Sequence, residues 1–148
     1  MKSFEEILDF AIDNEQKAHD LYMDIAEMAT RPGMRQTFLE FAAQEMQHRE
    51  RLEAIKAGKL PELDQARVET LGLSEHLVDV PVEKDMDYQS ALLFAMKAEQ
   101  RAYDLYAGLA KATDDPNLVT LFEGLAQEEL KHKLHFEREY DDVVLGDN

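Results

Sequence analysis

The sequence lacks cysteine and tryptophan, and it has few basic residues: 16, against 32 acidic residues in a chain of 148. Without cysteine there can be no disulfide, thiolate zinc site, iron–sulfur cluster or cysteine nucleophile. No apolar run approaches the roughly 18 residues of a membrane span, and the acidic N-terminus lacks the apolar core of a signal peptide. The net charge of −16 argues against nucleic acid and membrane partners, because it would repel phosphate. We therefore expect a single cytoplasmic domain over 1–148.

The chain repeats itself. Shifted by 84 residues, it matches itself without a gap and with 15 identities over the 44 positions of 10–53. Each copy contains two stretches of good helix formers, which are separated by a break at Pro32 or Pro116. The sequence therefore predicts two copies of a helical hairpin, at about 3–58 and about 87–141.

Capping signals predict the helix limits of the first hairpin. Ser3 and Glu6 have the spacing of a capping box, and the first helix is expected to run to about residue 29. Pro32 suits the first turn of the second helix, which should end near Gly58.

The second hairpin and the connection to it follow the same logic. Asp87 is expected to cap the third helix, and Pro116 to open a fourth that runs to about residue 140. Residues 59–86 match nothing else in the chain, and 61–73 could hold a short helix. A connection this long suits a crossover rather than a tight loop. The predicted fold is all-α: a ferritin-like four-helix bundle with a long crossover between its hairpins.

Polar residues interrupt the apolar seams of all four helices. Positions spaced by four and three residues define one seam on each helix. Each Glu-x-x-His pair leaves one helical face, because its members are three residues apart. Glu139 is a further charge near the end of the last seam. The polar residues in the middle of the seams are Glu15, Glu45, His48, Glu99, Glu129 and His132.

The four glutamates are expected to meet in one layer. Each lies about 15 residues from the break of its hairpin, which corresponds to equal heights at about 1.5 Å rise per residue. Four buried carboxylates need counter-charge, since desolvation and repulsion would otherwise force proton uptake. Two divalent cations supply it, and carboxylate with imidazole favours iron or manganese over calcium or structural zinc. The pattern is typical of di-iron and di-manganese bundles. The alternative, a metal-free helical interaction module, requires six polar residues on core seams by chance.

These motifs resemble those of the rubrerythrin family in the ferritin-like superfamily. The resemblance covers about 4–140 and implies a non-haem di-iron site, with two iron ions per chain or manganese in their place, that reduces hydrogen peroxide or dioxygen. We expect Glu45 and Glu129 to bridge the ions. The residues that carry the resemblance are Glu15 with Tyr22, Glu45 with His48, Glu99 with Tyr106, and Glu129 with His132; the six glutamates and histidines among them are the implied ligands.

Two departures from the family matter. Full-length rubrerythrins carry a rubredoxin domain with four cysteines, and this chain has no cysteine. Electrons are therefore expected from a separate donor such as rubredoxin. Rubrerythrins also carry an additional glutamate one turn beyond the third-helix ligand, where this chain has Ala102. The site should be more symmetric, nearer the pattern of bacterioferritin, which raises a ferroxidase or iron-handling role as the alternative function.

Several repeated residues could support the ligands. Tyr22 and Tyr106 lie on the seams and could hydrogen-bond a ligand carboxylate or donate an electron or proton; the alternative is a pair of core tyrosines. Asp20 and Asp104 could orient a ligand histidine, although surface pairing is favoured by their position off the seam. His19, one turn after Glu15, is a weaker ligand candidate because its repeat mate is a tyrosine.

The family resemblance also suggests a homodimer. Apolar residues of the connection are the candidate interface, on the expectation that they are exposed. They are Leu71, Leu73 and Leu77.

Overall fold

A computed structural model of the chain describes residues 3–58 and 63–146, and these ranges contain helices and no strand. The predicted all-α, ferritin-like bundle is confirmed. Within the same ranges, no helix is both long and apolar enough to cross a membrane. The elements are α1 (Phe4–Met28), α2 (Met34–Ala57), α3 (Gln65–Thr70), a 3₁₀ helix (Leu73–His76), α4 (Tyr88–Lys111) and α5 (Pro116–Leu145).

The breaks within the two hairpins differ, and the expectation for Pro32 was wrong. α2 begins at Met34, after Gly33, whose φ of 82° is left-handed and interrupts the helical path directly after Pro32. Pro116 does occupy the first turn of α5, where the side chain of Asp115 accepts hydrogen bonds from two backbone N–H groups. The two breaks differ because Gly33, as a glycine, adopts a positive φ at little cost.

Helix α5 extends five residues beyond the predicted end at residue 140. Between residue 140 and Gly146 the chain contains no glycine or proline that would end the helix. Arg31, from the break of the first hairpin, lies 3.4 Å from Glu139 and 3.2 Å from Asp142, so it holds the last turns of α5 to the first hairpin. Tyr88 donates a hydrogen bond of 2.5 Å to Glu139, the further charge on the fourth seam.

The core divides into two apolar clusters, one at each end of the bundle. The first joins the beginnings of α1 and α5 to the ends of α2 and α4. The second joins the opposite ends of the same four helices. Phe38 and Phe122, which are repeat mates, are fully buried in different clusters, and burial of each ring contributes roughly 2–3 kcal/mol. The chain must therefore cross the full length of the bundle between α2 and α4.

This crossover packs on the first cluster, where it buries Leu63, Val68 and Leu73. Gly108 of α4 admits Leu73, because a side chain at Gly108 would collide with the leucine. Leu71 and Leu77 pack against the same cluster. The expectation that the three crossover leucines are exposed was wrong: they cover the end of the bundle. The short helix predicted within 61–73 is α3; residues 59–62 lie outside the described part of the chain.

Candidate metal centre

All six predicted ligands lie together, buried between the two apolar clusters. Helices α1 and α4 each provide one glutamate, and α2 and α5 each provide a glutamate and a histidine three residues later. Their ligand atoms form two groups, in each of which all atoms lie within 4.8 Å of one another. Glu45 and Glu129 belong to both groups. The groups are Glu15, Glu45, His48 and Glu129, and Glu45, Glu99, Glu129 and His132.

The donor atoms of the cluster suit two divalent cations. Among the described residues, few buried side-chain oxygens or nitrogens have no hydrogen-bond partner, and most of them belong to this cluster. His48 Nδ1 and Glu129 Oε1 are 2.7 Å apart, yet both are unpartnered because their orientation does not suit a hydrogen bond. Unpartnered buried polar atoms are costly, so the pocket calls for a bound cation. The atoms concerned are Glu15 Oε2, Glu45 Oε2, His48 Nδ1, Glu99 Oε2 and Glu129 Oε1.

The two seam tyrosines connect the hairpins through these carboxylates. The hydroxyl of Tyr22 donates to Oε1 of Glu99, and that of Tyr106 donates to Oε1 of Glu15. Both tyrosines are buried. Each phenol of one hairpin therefore orients the unshared glutamate of the other. The predicted contact between tyrosine and ligand carboxylate is present; a role in electron or proton transfer stays a prediction.

The outer partners of the histidines are residues that the sequence did not indicate. Nδ1 of each ring faces the buried carboxylates, and Nε2 faces outward. His48 Nε2 lies 2.5 Å from Glu128 Oε2, and His132 Nε2 lies 2.5 Å from Gln44 Oε1. The signal that could have found these partners is a polar residue directly before each shared glutamate, in both copies of the repeat.

The weaker candidates on α1 and α4 do not join the cluster. Asp20 and Asp104 accept hydrogen bonds of 3.0 Å from Gln16 and Gln100, one turn earlier on the same helix. His19 contacts Asp20, at 2.9 Å between Nδ1 and Oδ1. Their positions off the seam explain this outcome, because α-helical side chains there point away from the bundle axis.

Without a metal, the cluster would hold protons. Burial raises the pKa of Glu99 to about 8. Burial, together with repulsion from neighbouring carboxylates, also raises the pKa values of Glu45 and Glu129 well above 4.5. Burial would do the same to Glu15, but its interactions with Glu45, His48 and Tyr106 lower its pKa overall. Cations must therefore displace protons from these carboxyl groups in order to bind.

The two histidines have opposite pKa shifts. Burial alone would lower the pKa of His48, but interactions with Glu129 and Glu15 raise it to about 10. Burial lowers the pKa of His132. In the absence of metal, the hairpins thus carry one charged and one neutral imidazole at neutral pH.

A cavity of about 70 Å³ lies between α1 and α4 and reaches the carboxylates. Small side chains at Ala18, Ala98 and Ala102 leave room for it, and the rings of Phe10 and Phe94 add apolar walls. On the solvent side it is bounded by the crossover, through Val78, Val80 and Val82. The buried site is therefore reachable by a small molecule from one face of the bundle.

The fold and the site together define a class. In ferritin-like carboxylate bundles, two of four antiparallel helices each contribute one glutamate, and the other two each contribute a Glu-x-x-His pair, as they do here. The rubrerythrin family model matches residues 6–140, and the chain belongs to the rubrerythrin family. A solved structure of a hypothetical protein from Pyrococcus furiosus is similar over 95% of this chain and 89% of that chain, with 25% identity and a TM-score of 0.72. No curated protein matches the sequence.

Proposed function

We propose that the chain is a non-haem di-iron oxidoreductase that reduces hydrogen peroxide or dioxygen. The observation that carries the proposal is the sharing of Glu45 and Glu129 by two buried groups of ligand atoms. Shared carboxylates of this kind would bridge two ions, with Glu15 and His48 completing one position, and Glu99 and His132 the other. An iron pair held by these six residues would supply the redox chemistry that cleavage of the O–O bond requires.

The cavity between α1 and α4 supports a small substrate. Its volume of about 70 Å³ admits hydrogen peroxide or dioxygen with few waters, and the rings of Phe10 and Phe94 make part of its wall apolar. Tyr22 and Tyr106 line the cavity and present their O–H groups beside the ligand carboxylates. The tyrosines can thus pass protons toward a molecule in the cavity while they hold Glu99 and Glu15 in place.

Each peroxide consumes two electrons and two protons and yields two water molecules. Because the chain has no cysteine, it contains no thiolate-bound iron centre that could relay electrons. We therefore assign electron delivery to a separate protein such as rubredoxin.

Metal content tests the site. Protein produced in iron-rich medium should contain about two iron ions per chain, and Glu45→Ala should remove both. Glu53→Ala is the matched control, because Glu53 lies two turns further along α2 and pairs with Arg49 at the surface. Fewer than about one ion per chain in the parent protein, with no loss in Glu45→Ala, would contradict the proposal.

A ferroxidase is the second candidate, and Ala102 is the observation that favours it. This small residue lines the cavity and adds no fifth carboxylate to the site. The product separates the two functions. A peroxidase with reduced rubredoxin consumes peroxide repeatedly and returns to the ferrous state, whereas a ferroxidase releases ferric iron that accumulates as mineral.

A further inference from the structure

The two predicted ligand histidines make the same outer contact with two different side chains. His48 Nε2 is 2.5 Å from the carboxylate of Glu128, and His132 Nε2 is 2.5 Å from the amide oxygen of Gln44. Glu128 and Gln44 are repeat mates that directly precede Glu129 and Glu45. Each contact joins the two hairpins. One structural position has therefore been filled once with a charged acceptor and once with a neutral one.

The geometry defines the direction of both hydrogen bonds. Since Nδ1 of each ring faces the buried carboxylates, it is the nitrogen available to a cation, and Nε2 then carries the proton. Nε2 donates, and an oxygen of Glu128 or Gln44 accepts. Both acceptors are partly open to the solvent on the face formed by α2 and α5, where Arg51 Nη1 also lies 3.4 Å from Glu128.

We propose that Glu128 and Gln44 make the two metal positions unequal, so that the position at His48 binds a divalent ion more tightly than the position at His132. The inference rests on the proposed di-iron function. Both residues are positioning residues, because each acts through a histidine.

The charge of the acceptor is the physical reason. A carboxylate that accepts from an imidazole N–H makes the opposite nitrogen a stronger donor to a metal, and it adds a negative charge near the cation. An amide fixes the ring in the same orientation without that charge. Arg51 offsets part of the charge of Glu128, but it lies on the solvent side and is itself 46% exposed, which weakens its effect.

The packing of the rings increases the difference. The ring of His132 stacks on Phe41, with 4.2 Å between centroids and 26° between planes. The repeat mate of Phe41 is Leu125, so the sequence provides no aromatic ring at the equivalent place beside His48. Orientation of His132 thus comes from stacking and an amide, whereas that of His48 comes from a carboxylate.

The test is an anaerobic titration of the metal-free full chain with Co²⁺, followed by visible absorption. The parent protein should bind two ions with separate affinities. Glu128→Gln should weaken the tighter ion about tenfold, within the range usual for such outer contacts, and bring the two affinities together. Gln44→Glu should strengthen the weaker ion by a similar factor.

The exchange variant, Glu128→Gln with Gln44→Glu, gives the sharpest outcome. It should restore two separate affinities with their order reversed. In a His132→Ala background, which keeps only the position at His48, Glu128→Gln should still weaken binding; in His48→Ala it should not. Glu137→Gln is the matched control, since Glu137 is on the same helix, is 36% exposed against 38% for Glu128, and pairs with Lys133.

The outcomes separate this inference from the proposed function. Two bound ions whose affinities do not change in Glu128→Gln, or an exchange variant weaker than either single variant, would overturn the inference and leave the di-iron function standing. A parent protein that binds no Co²⁺ and no iron would overturn both.

Discussion

The two hairpins place identical residues inside the site and different residues around it. Glutamate and histidine ligand candidates are the same in both copies, as are the tyrosines that contact them. The acceptors behind the histidines differ, as do the breaks between the helices. The proposed cation site would constrain the inner residues in both copies, whereas an outer hydrogen bond needs only an acceptor and leaves its charge free to vary.

The largest expected effect tests whether the inner residues are equivalent. Glu45→Ala and Glu129→Ala should each remove both iron ions, because both groups of ligand atoms contain these residues. Glu15→Ala and Glu99→Ala should each remove about one, because each belongs to one group. Iron analysis of the four purified variants gives the answer. If Glu45→Ala and Glu129→Ala lose different amounts of iron, the two shared glutamates are not equivalent.

A pH dependence sharpens the contrast between the histidines. The raised pKa of Glu99, about 8, means that the native metal-free protein retains a proton that the unfolded chain releases above pH 4.5. Stability therefore falls as the pH rises toward 8. His48, with a pKa of about 10, acts in the same direction above pH 6.5, and the lowered pKa of His132 acts oppositely only below it.

We expect the unfolding free energy of the metal-free protein to fall by about 2 kcal/mol between pH 6.5 and 8 because of Glu99 alone. Urea unfolding at several pH values measures this, and NMR titration should show His48 protonated and His132 neutral at pH 7. A metal-free protein whose stability rises over this window would contradict the assignment.

The tyrosines should behave alike in the two hairpins. Tyr22→Phe and Tyr106→Phe each remove the donor to one buried carboxylate, and the loss should cost about 1–3 kcal/mol of unfolding free energy. Denaturant unfolding of both variants measures it, with Tyr103→Phe on α4 as the control. A large effect at one tyrosine alone would mean that the crossed contacts are not equivalent.

The smallest expected effect concerns the breaks between helices. Asp115→Ala should cost about 1 kcal/mol, since the side chain of Asp115 caps α5 and no side chain caps α2 at Gly33. Thermal unfolding of the iron-loaded protein detects it. An unchanged Tm would indicate that Pro116 alone determines the start of α5.

The sequence predicted the helices and the ligand cluster because both follow from periodicity within one hairpin. Glu45 and His48 could be placed on one face by their spacing alone, and the repeat extended that placement to Glu129 and His132. The sequence could not predict the contact between Glu128 and His48 or the one between Gln44 and His132, because both depend on how one hairpin packs against the other. The repetition of Asp20 and Asp104 makes them candidates for that role, but their helical position turns them outward, where each accepts a hydrogen bond from a glutamine one turn earlier.

The crossover shows the same limit. Its length predicted a path along the bundle, but the burial of Leu73 depends on the missing side chain at Gly108, some thirty-five residues later in the chain. Periodicity within the crossover carries no information on such a contact.

The contacts between hairpins, of each tyrosine with a glutamate and of each histidine with its outer acceptor, bear on how a chain with two copies of one hairpin could arise. A single ancestral hairpin paired with its own copy would already supply two glutamates, one histidine and one tyrosine to each half of the same centre. Such an assembly would have to place the same residue behind both histidines, since both copies would come from one gene. In this chain the two hairpins are encoded separately, and Gln44 and Glu128 differ. Separate encoding of the two copies thus allows a symmetric pair of positions to take on separate tasks.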